Sequence, residues 1–197
     1  MRKFVFLGLI VAAALAGCAA NSERLNSDRI LRTFGNYGVE IVESEGRRRV
    51  SSLYSSDQSG RTTRTYAVVE LPADARPAYG REHALIESGQ SIGATFRAGG
   101  WAIDKQHLFI GELEIPETYG EIGELMHISL PAMLATHQYI LNVSKDARSY
   151  SYATTTEIHH PDYLKSMDLK AIYGEIIFDD SNRDAIHDFI GPPKHRK

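Results

Sequence analysis

His137-Gln-Tyr-Ile-Leu-Asn-Val143, the turn Lys145-Asp-Ala-Arg148 and the return from Ser149 to Ile158 form the stretch that decides the fold. His137, Tyr139, Leu141 and Val143 recur with a period of two, so they share one face of a strand. Four polar residues turn the chain, and the return alternates again. This is the pattern of a β-hairpin. Counting back across the turn places Glu157 roughly opposite His137. Its face then also carries Thr155, Ala153, Tyr139, Leu141 and Val143. A carboxylate on an apolar face must be paired, protonated or turned to a ligand. A slip of one residue would put it in solvent instead.

The same alternation extends outward. Val39 and Ile41 flank Glu40, Glu45-Gly46 makes a turn, and Arg49 to Ser55 reads as a second strand. Asp57 to Gly60 is a hairpin loop, and Thr62 to Leu71 is a third strand ended by Pro72. Before them, Asp28 precedes a short helix with Ile30, Leu31 and Phe34 at helical spacing, ended by Gly35 or Gly38. A helix is expected from about Pro77 to Ser88, with Gly89 at its exit. Ile92, Ala94, Phe96 and Ala98 alternate as a strand would. Asp104-Lys105 reads as a turn into a strand from Leu108 to Ile115, with Gly111 marking a bulge. Tyr119 to Met126 is a loop or short helix, and Asp184 to Ile190 a last helix. No repeat or linker interrupts the chain. The expectation is one α+β domain over residues 27–190, mainly an antiparallel β-sheet with a few helices, followed by a basic tail at 191–197.

The N-terminus carries an address. Arg2-Lys3 precedes an apolar run from Phe4 to Leu15, and Leu15-Ala16-Gly17-Cys18 follows. Cations, a short apolar stretch and small residues describe a secretory signal peptide over 1–17. The run is shorter than the roughly 20 residues of a spanning helix. Cys18 after Ala-Gly resembles the lipobox of bacterial lipoproteins. That resemblance implies cleavage after Gly17, a diacylglyceryl thioether on Cys18 and an acyl chain such as palmitate on its amine. Residues 18–26 are then lipidated cysteine and tether, and the membrane is a partner through Cys18. Ala19 after the cysteine resembles the outer-membrane sorting pattern, with the domain facing the periplasm.

Composition narrows function further. The chain has 22 Lys+Arg against 25 Asp+Glu, a net charge of −3, and loss of Arg2 and Lys3 with the signal leaves 20 against 25, or −5. Mild acidity excludes nucleic acid as an electrostatic partner. Cys18 is the sole cysteine, so no intramolecular disulfide is available. No nucleophile elbow, phosphate loop or dinucleotide fingerprint is present, and no cofactor is expected. His159-His160 does not suggest a metal, because adjacent strand residues point to opposite faces. Glu82, His83 and Glu87 read as a solvated helix face, and Arg47-Arg48-Arg49 as a charged hairpin edge.

The order of spaced residues resembles the chorismate lyase fold, shared with the UTRA effector-binding domains of transcription regulators. Arg49-Val-Ser-Ser-Leu53 is similar to the family's Arg-x-x-x-Leu strand, and Thr65 to Pro72, ending Val-Val-Glu-Leu-Pro, to its Arg-x-Val-x-Pro strand end. Ser88-Gly-Gln-Ser-Ile-Gly-Ala-Thr-Phe96 is similar to its Leu-Gly-x-x-Pro-Leu-Gly segment. Thr156-Glu-Ile-His-His-Pro161 is similar to its Thr/Ser-Glu-x-x-x-Pro ending. His159-His160 replaces Phe-Leu, and Ser91 replaces a proline. The resemblance implies that Arg49 holds a ligand carboxylate, Ile92 walls the pocket, and Glu157 contacts a hydroxyl or protonated group. The leading expectation is therefore an envelope lipoprotein that binds a small aromatic or carboxylated molecule. Two alternatives stand beside it. One is an enzyme that releases pyruvate from an enolpyruvyl ether, with Arg49 and Glu157 catalytic and Glu157 of raised pKa as general acid. The other is a non-catalytic structural or assembly lipoprotein.

Overall fold

The computed structural model describes residues 25–174 and 181–191. The expected signal peptide at 1–17, Cys18 and most of the expected tether lie outside the described residues, as does the tail beyond Gly191. The elements in chain order are α1 (Asn26–Phe34), β1 (Gly38–Glu45), β2 (Arg48–Asp57), β3 (Gly60–Glu70), α2 (Gly80–Glu87), α3 (Ile92–Ala98), β4 (Ala102–Ile115), α4 (Gly120–Met126), β5 (Ala132–Lys145), β6 (Arg148–His159), α5 (Ser166–Tyr173) and α6 (Ser181–Ile190). The fold is α+β: six strands make one antiparallel sheet in the order β1-β2-β3-β6-β5-β4.

The hairpin that opened the reading is the centre of this sheet. Lys145 pairs with Arg148, and both intervening residues, Asp146 and Ala147, have positive φ. A two-residue loop of that kind carries the right-handed twist of its strands. The register then shifts between Leu141 and Asn142, because Tyr152 has no partner on β5. Consecutive Tyr152 and Ala153 therefore both pack into one core cluster, as a bulge allows. Beyond the bulge Glu157 stands opposite His137.

Both faces of the sheet are covered. Tyr66, Val68, Phe109 and Ile158 pack under α4 and α6 with Ile122, Met126, Ile186 and Ile190. On the other face Val69, Leu141 and Tyr152 pack under α2 and α3 with Tyr79, Ile86 and Phe96. Farther along that face α5 seats Leu169 on Ile110 and Ala135.

Several expectations are corrected. Ile92 to Ala98 is a helix, not a strand: Ala94 and Ala98 are exposed while Thr95 and Phe96 are buried. Ile92 and Phe96 are also one helical turn apart, and small residues between them hid that period from the alternation. Asp104-Lys105 is no turn. β4 runs unbroken from Ala102 to Ile115 along the length of β5, and its register shift falls between His107 and Phe109 rather than at Gly111. α5 had no counterpart in the sequence reading. Leu25 and Asn26 belong to the folded domain, not the tether, since Asn26 is buried and its amide bonds Thr65. Glu82 and His83 are buried rather than solvated, with His83 Nδ1 2.8 Å from the Tyr152 hydroxyl. The Arg47–Arg49 run is not a sheet edge, because β1 lies outside β2. Arg47 pairs with Glu70, and Arg48 donates to the carbonyls of Phe189 and Ile190 at the end of α6.

Candidate functional site

Between the sheet and the first turns of α1 and α3 lies a cavity of about 90 Å³. A water needs roughly 10–15 Å³ on this scale, so the space suits several waters or one ring-sized molecule. Val39, Leu53, Val69, Ile92 and Leu141 supply apolar walls, and Leu25 and Gly93 lie at the side of α1 and α3. A Cβ on Gly93 would stand 2.7 Å from Leu25 Cδ2, so glycine lets the two segments close over the space.

All three residues singled out in the sequence, Arg49, Ile92 and Glu157, line this one cavity. Arg49 pairs with Val69 in the β2–β3 ladder, Val69 with Thr155, and Glu157 follows two residues along β6. Two strand spacings and two residues along a strand put their Cα atoms about 12 Å apart on one face.

Arg49 is 4 % exposed. Its Nε donates to Ser51 Oγ at 3.1 Å, and its Nη1 to the carbonyls of Ile86 and Gln90 at 2.9 and 3.0 Å. Those carbonyls lie at the C-terminal end of α2, where the helix dipole favours a cation. Among the described residues no carboxylate forms an ion pair with Arg49. Burial pulls its pKa below the usual guanidinium value. A buried cation without a counter-ion is costly, and an anion entering the cavity would offset that cost. Tyr37, beside Ser91, senses both Arg49 and Glu157, so its hydroxyl lies in the field of both groups.

Glu157 is 5 % exposed. The Tyr139 hydroxyl donates to its Oε1 at 3.2 Å. Its Oε2 lies 3.9 Å from His137 Nδ1 and 4.0 Å from His159 Nε2. Burial alone would raise the Glu157 pKa. Lys105 foremost, with His159, Arg29 and the Tyr139 bond, reverses this and holds the carboxyl below its ordinary value. The expected raised pKa is thus overturned: Glu157 is an ionised acceptor, not a stored acid, because cations the sequence did not bring to it surround it in space.

A buried hydrogen-bond chain reaches His159 from α1 and Tyr163. Tyr163 donates to Asn26 Oδ1 at 2.6 Å, so Asn26 Nδ2 donates to Thr65 Oγ1 at 2.9 Å. Thr65 Oγ1 also lies 3.0 Å from His159 Nδ1. Burial pushes His159 down to about 4 and lowers His137 further, so both are neutral at pH 7. His137 Nε2 lies 2.8 Å from His107 Nδ1. No group of three His, Cys, Asp or Glu among the described residues is placed to hold a metal ion.

Lys105 is the functional residue that sequence reading missed. It is 8 % exposed and lines the cavity. Its Nζ lies 4.3 Å from the Tyr139 ring centroid and 3.3 Å from the Tyr173 hydroxyl. The signal was present: Ile103, Lys105 and His107 alternate as one strand face, but a turn assignment at Asp104-Lys105 broke the pattern.

No protein-family model matches the chain, and no curated protein matches it.

Proposed function

We propose that this protein is an envelope lipoprotein, anchored through Cys18 in the outer membrane, whose chorismate-lyase-like domain binds a small carboxylic acid in the cavity of Arg49, Ile92 and Glu157. The observation that carries the reading is Arg49: a guanidinium buried at a cavity wall, with no ion pair to a carboxylate among the described residues, whose Nε and Nη1 are held by Ser51 and the α2 carbonyls and whose Nη2 is left to meet a ligand carboxylate. The apolar walls suit a ring. Ionised Glu157 accepts a hydrogen bond from the ligand's far end. The same ionisation favours binding over proton donation to a leaving group, and so the binder over the lyase.

Thermal unfolding against a panel of aromatic acids, including 4-hydroxybenzoate and chorismate, tests the reading. A ligand at a hundred times its Kd adds about 2.7 kcal/mol, a rise of roughly 5–10 °C for a domain of this size. The rise should vanish in Arg49→Ala. Pyruvate released from chorismate would instead make the protein a lyase, and no shift with any acid would discard the small-acid reading. Separately, Cys18→Ser should move the protein from the membrane fraction to the soluble one; retention in the membrane would reject the lipid anchor.

A further inference from the structure

Three buried polar atoms meet at Glu157 without a hydrogen bond among the described residues: its own Oε2, His137 Nδ1 and His159 Nε2. Strand register brings them together. His137 stands opposite Glu157 across the β5–β6 ladder, and His159 follows two residues along β6 on the same face. His137, Glu157 and His159 are 0, 5 and 1 % exposed. Leaving a buried donor or acceptor unbonded is costly, and three at one point call for a shared partner. Their spacing says which. Oε2 lies 3.9 Å from Nδ1 and 4.0 Å from Nε2, too far for direct hydrogen bonds. A metal ion with bonds of about 2.1 Å spans such distances only at ligand–metal–ligand angles of about 140°, far from tetrahedral. An atom hydrogen-bonded at about 2.8 Å spans them at about 90°. A water donates two hydrogen bonds and accepts two, which serves the carboxylate and both imidazoles once either facing nitrogen carries a proton.

The chain continues outward from His137. Its Nε2 lies 2.8 Å from Nδ1 of His107, which is half-buried on β4. An imidazole takes a proton at one nitrogen as it releases one from the other, so two in series pass protons along. We infer that one buried water bridges Glu157 Oε2, His137 Nδ1 and His159 Nε2, and that this water, His137 and His107 form a proton path between Glu157 and solvent. Only O–H and N–H bonds break and form. The water gives a proton to Oε2 and takes one from His137 Nδ1; His137 Nε2 takes one from His107 Nδ1; His107 takes one from solvent at its other nitrogen. Both imidazoles stay neutral and exchange tautomer, and the reverse order releases a proton. A carboxyl sealed inside the fold thereby changes protonation without opening it. The inference does not depend on what the cavity binds.

Two measurements on the full chain test this. A crystal structure at about 1.5 Å resolution should place a water oxygen about 2.7–3.2 Å from all three atoms. A metal ion there, or no atom at that point, overturns the bridge. Solvent exchange of the His137 ring N–H, followed by nitrogen-15 NMR at pH 7, reads the path. The wild-type ring proton should exchange faster than the backbone amides of β5 around it, although the ring is fully buried. His107→Phe keeps a ring beside His137 and Tyr173 but ends the relay, and should slow that exchange about tenfold or more. His107→Gln keeps a hydrogen-bonding group that cannot relay, should give the same slowing, and serves where the Phe protein does not fold. A loosened sheet would speed exchange, so slowing is specific to the relay. Wild-type rates in the folded variants overturn the path, as does a wild-type ring proton no faster than its neighbouring amides.

Discussion

Acid should destabilise this protein well above the ordinary carboxylate range, and His159 sets the size of the effect. Its imidazole is 1 % exposed, its Nδ1 lies 3.0 Å from Thr65 Oγ1, and burial lowers its pKa from 6.5 to about 4. An unfolded chain takes up a proton at this histidine as pH falls through 6.5, whereas the native protein does not until about 4. Stability is therefore full above 6.5 and is lost as pH falls between those values. A shift of about 2.5 units corresponds to roughly 3 kcal/mol, a large share of the 5–15 kcal/mol of a typical domain. His137 is lowered further by burial and by Lys105, and steepens the same slope. Urea unfolding at half-unit steps from pH 7.5 to 4 measures it. The wild-type protein should lose at least ~3 kcal/mol, and His159→Gln should remove about one proton from the slope, ~1.4 kcal/mol per pH unit in mid-window. Parallel slopes for the two proteins between pH 6.5 and 4.5 would refute the argument, as would His159 ring signals that titrate near 6.5 in the native state.

Two further expectations concern the scaffold. Phe96 is fully buried on α3 against Tyr79, Trp101 and Tyr152. Phe96→Ala should cost about 3–5 kcal/mol by denaturant unfolding; a loss under 1 kcal/mol would mean that α3 does not hold the aromatic core. Ala147 sits at φ 61° in the β5–β6 turn, a conformation that costs a non-glycine residue roughly 1–2 kcal/mol. Ala147→Gly should raise the melting temperature by about 2–4 °C, and a fall would contradict the turn geometry.

Much of the site's composition was legible in the chain, but its electrostatics were not. Register counting set Glu157 on the apolar face, while Arg49 and Ile92 were singled out only by the resemblance to the chorismate lyase fold; the sheet and α3 bring the three to one cavity. Lys105 was overlooked because it acts across strands: it bears on Glu157 from β4, two strands away. Sequence distance says nothing about such a meeting. The same blindness made Glu157 look like an acid of raised pKa, since burial was foreseeable and the surrounding cations were not.

By itself the sequence determined strands β1, β2 and β3, the β5–β6 hairpin, the α+β class and the acidic net charge. These follow from local periodicity, turn chemistry and composition, which no long-range contact needs to decide. Tertiary structure alone decided the rest. Alternation at Ile92–Ala98 became a helix because that segment covers the sheet rather than joining it. The register of Glu157 turned on one unpaired residue, Tyr152, for a period of two has no tolerance for a single insertion. The ionisation of the site was settled last, by which cations the finished fold set in the field of Glu157.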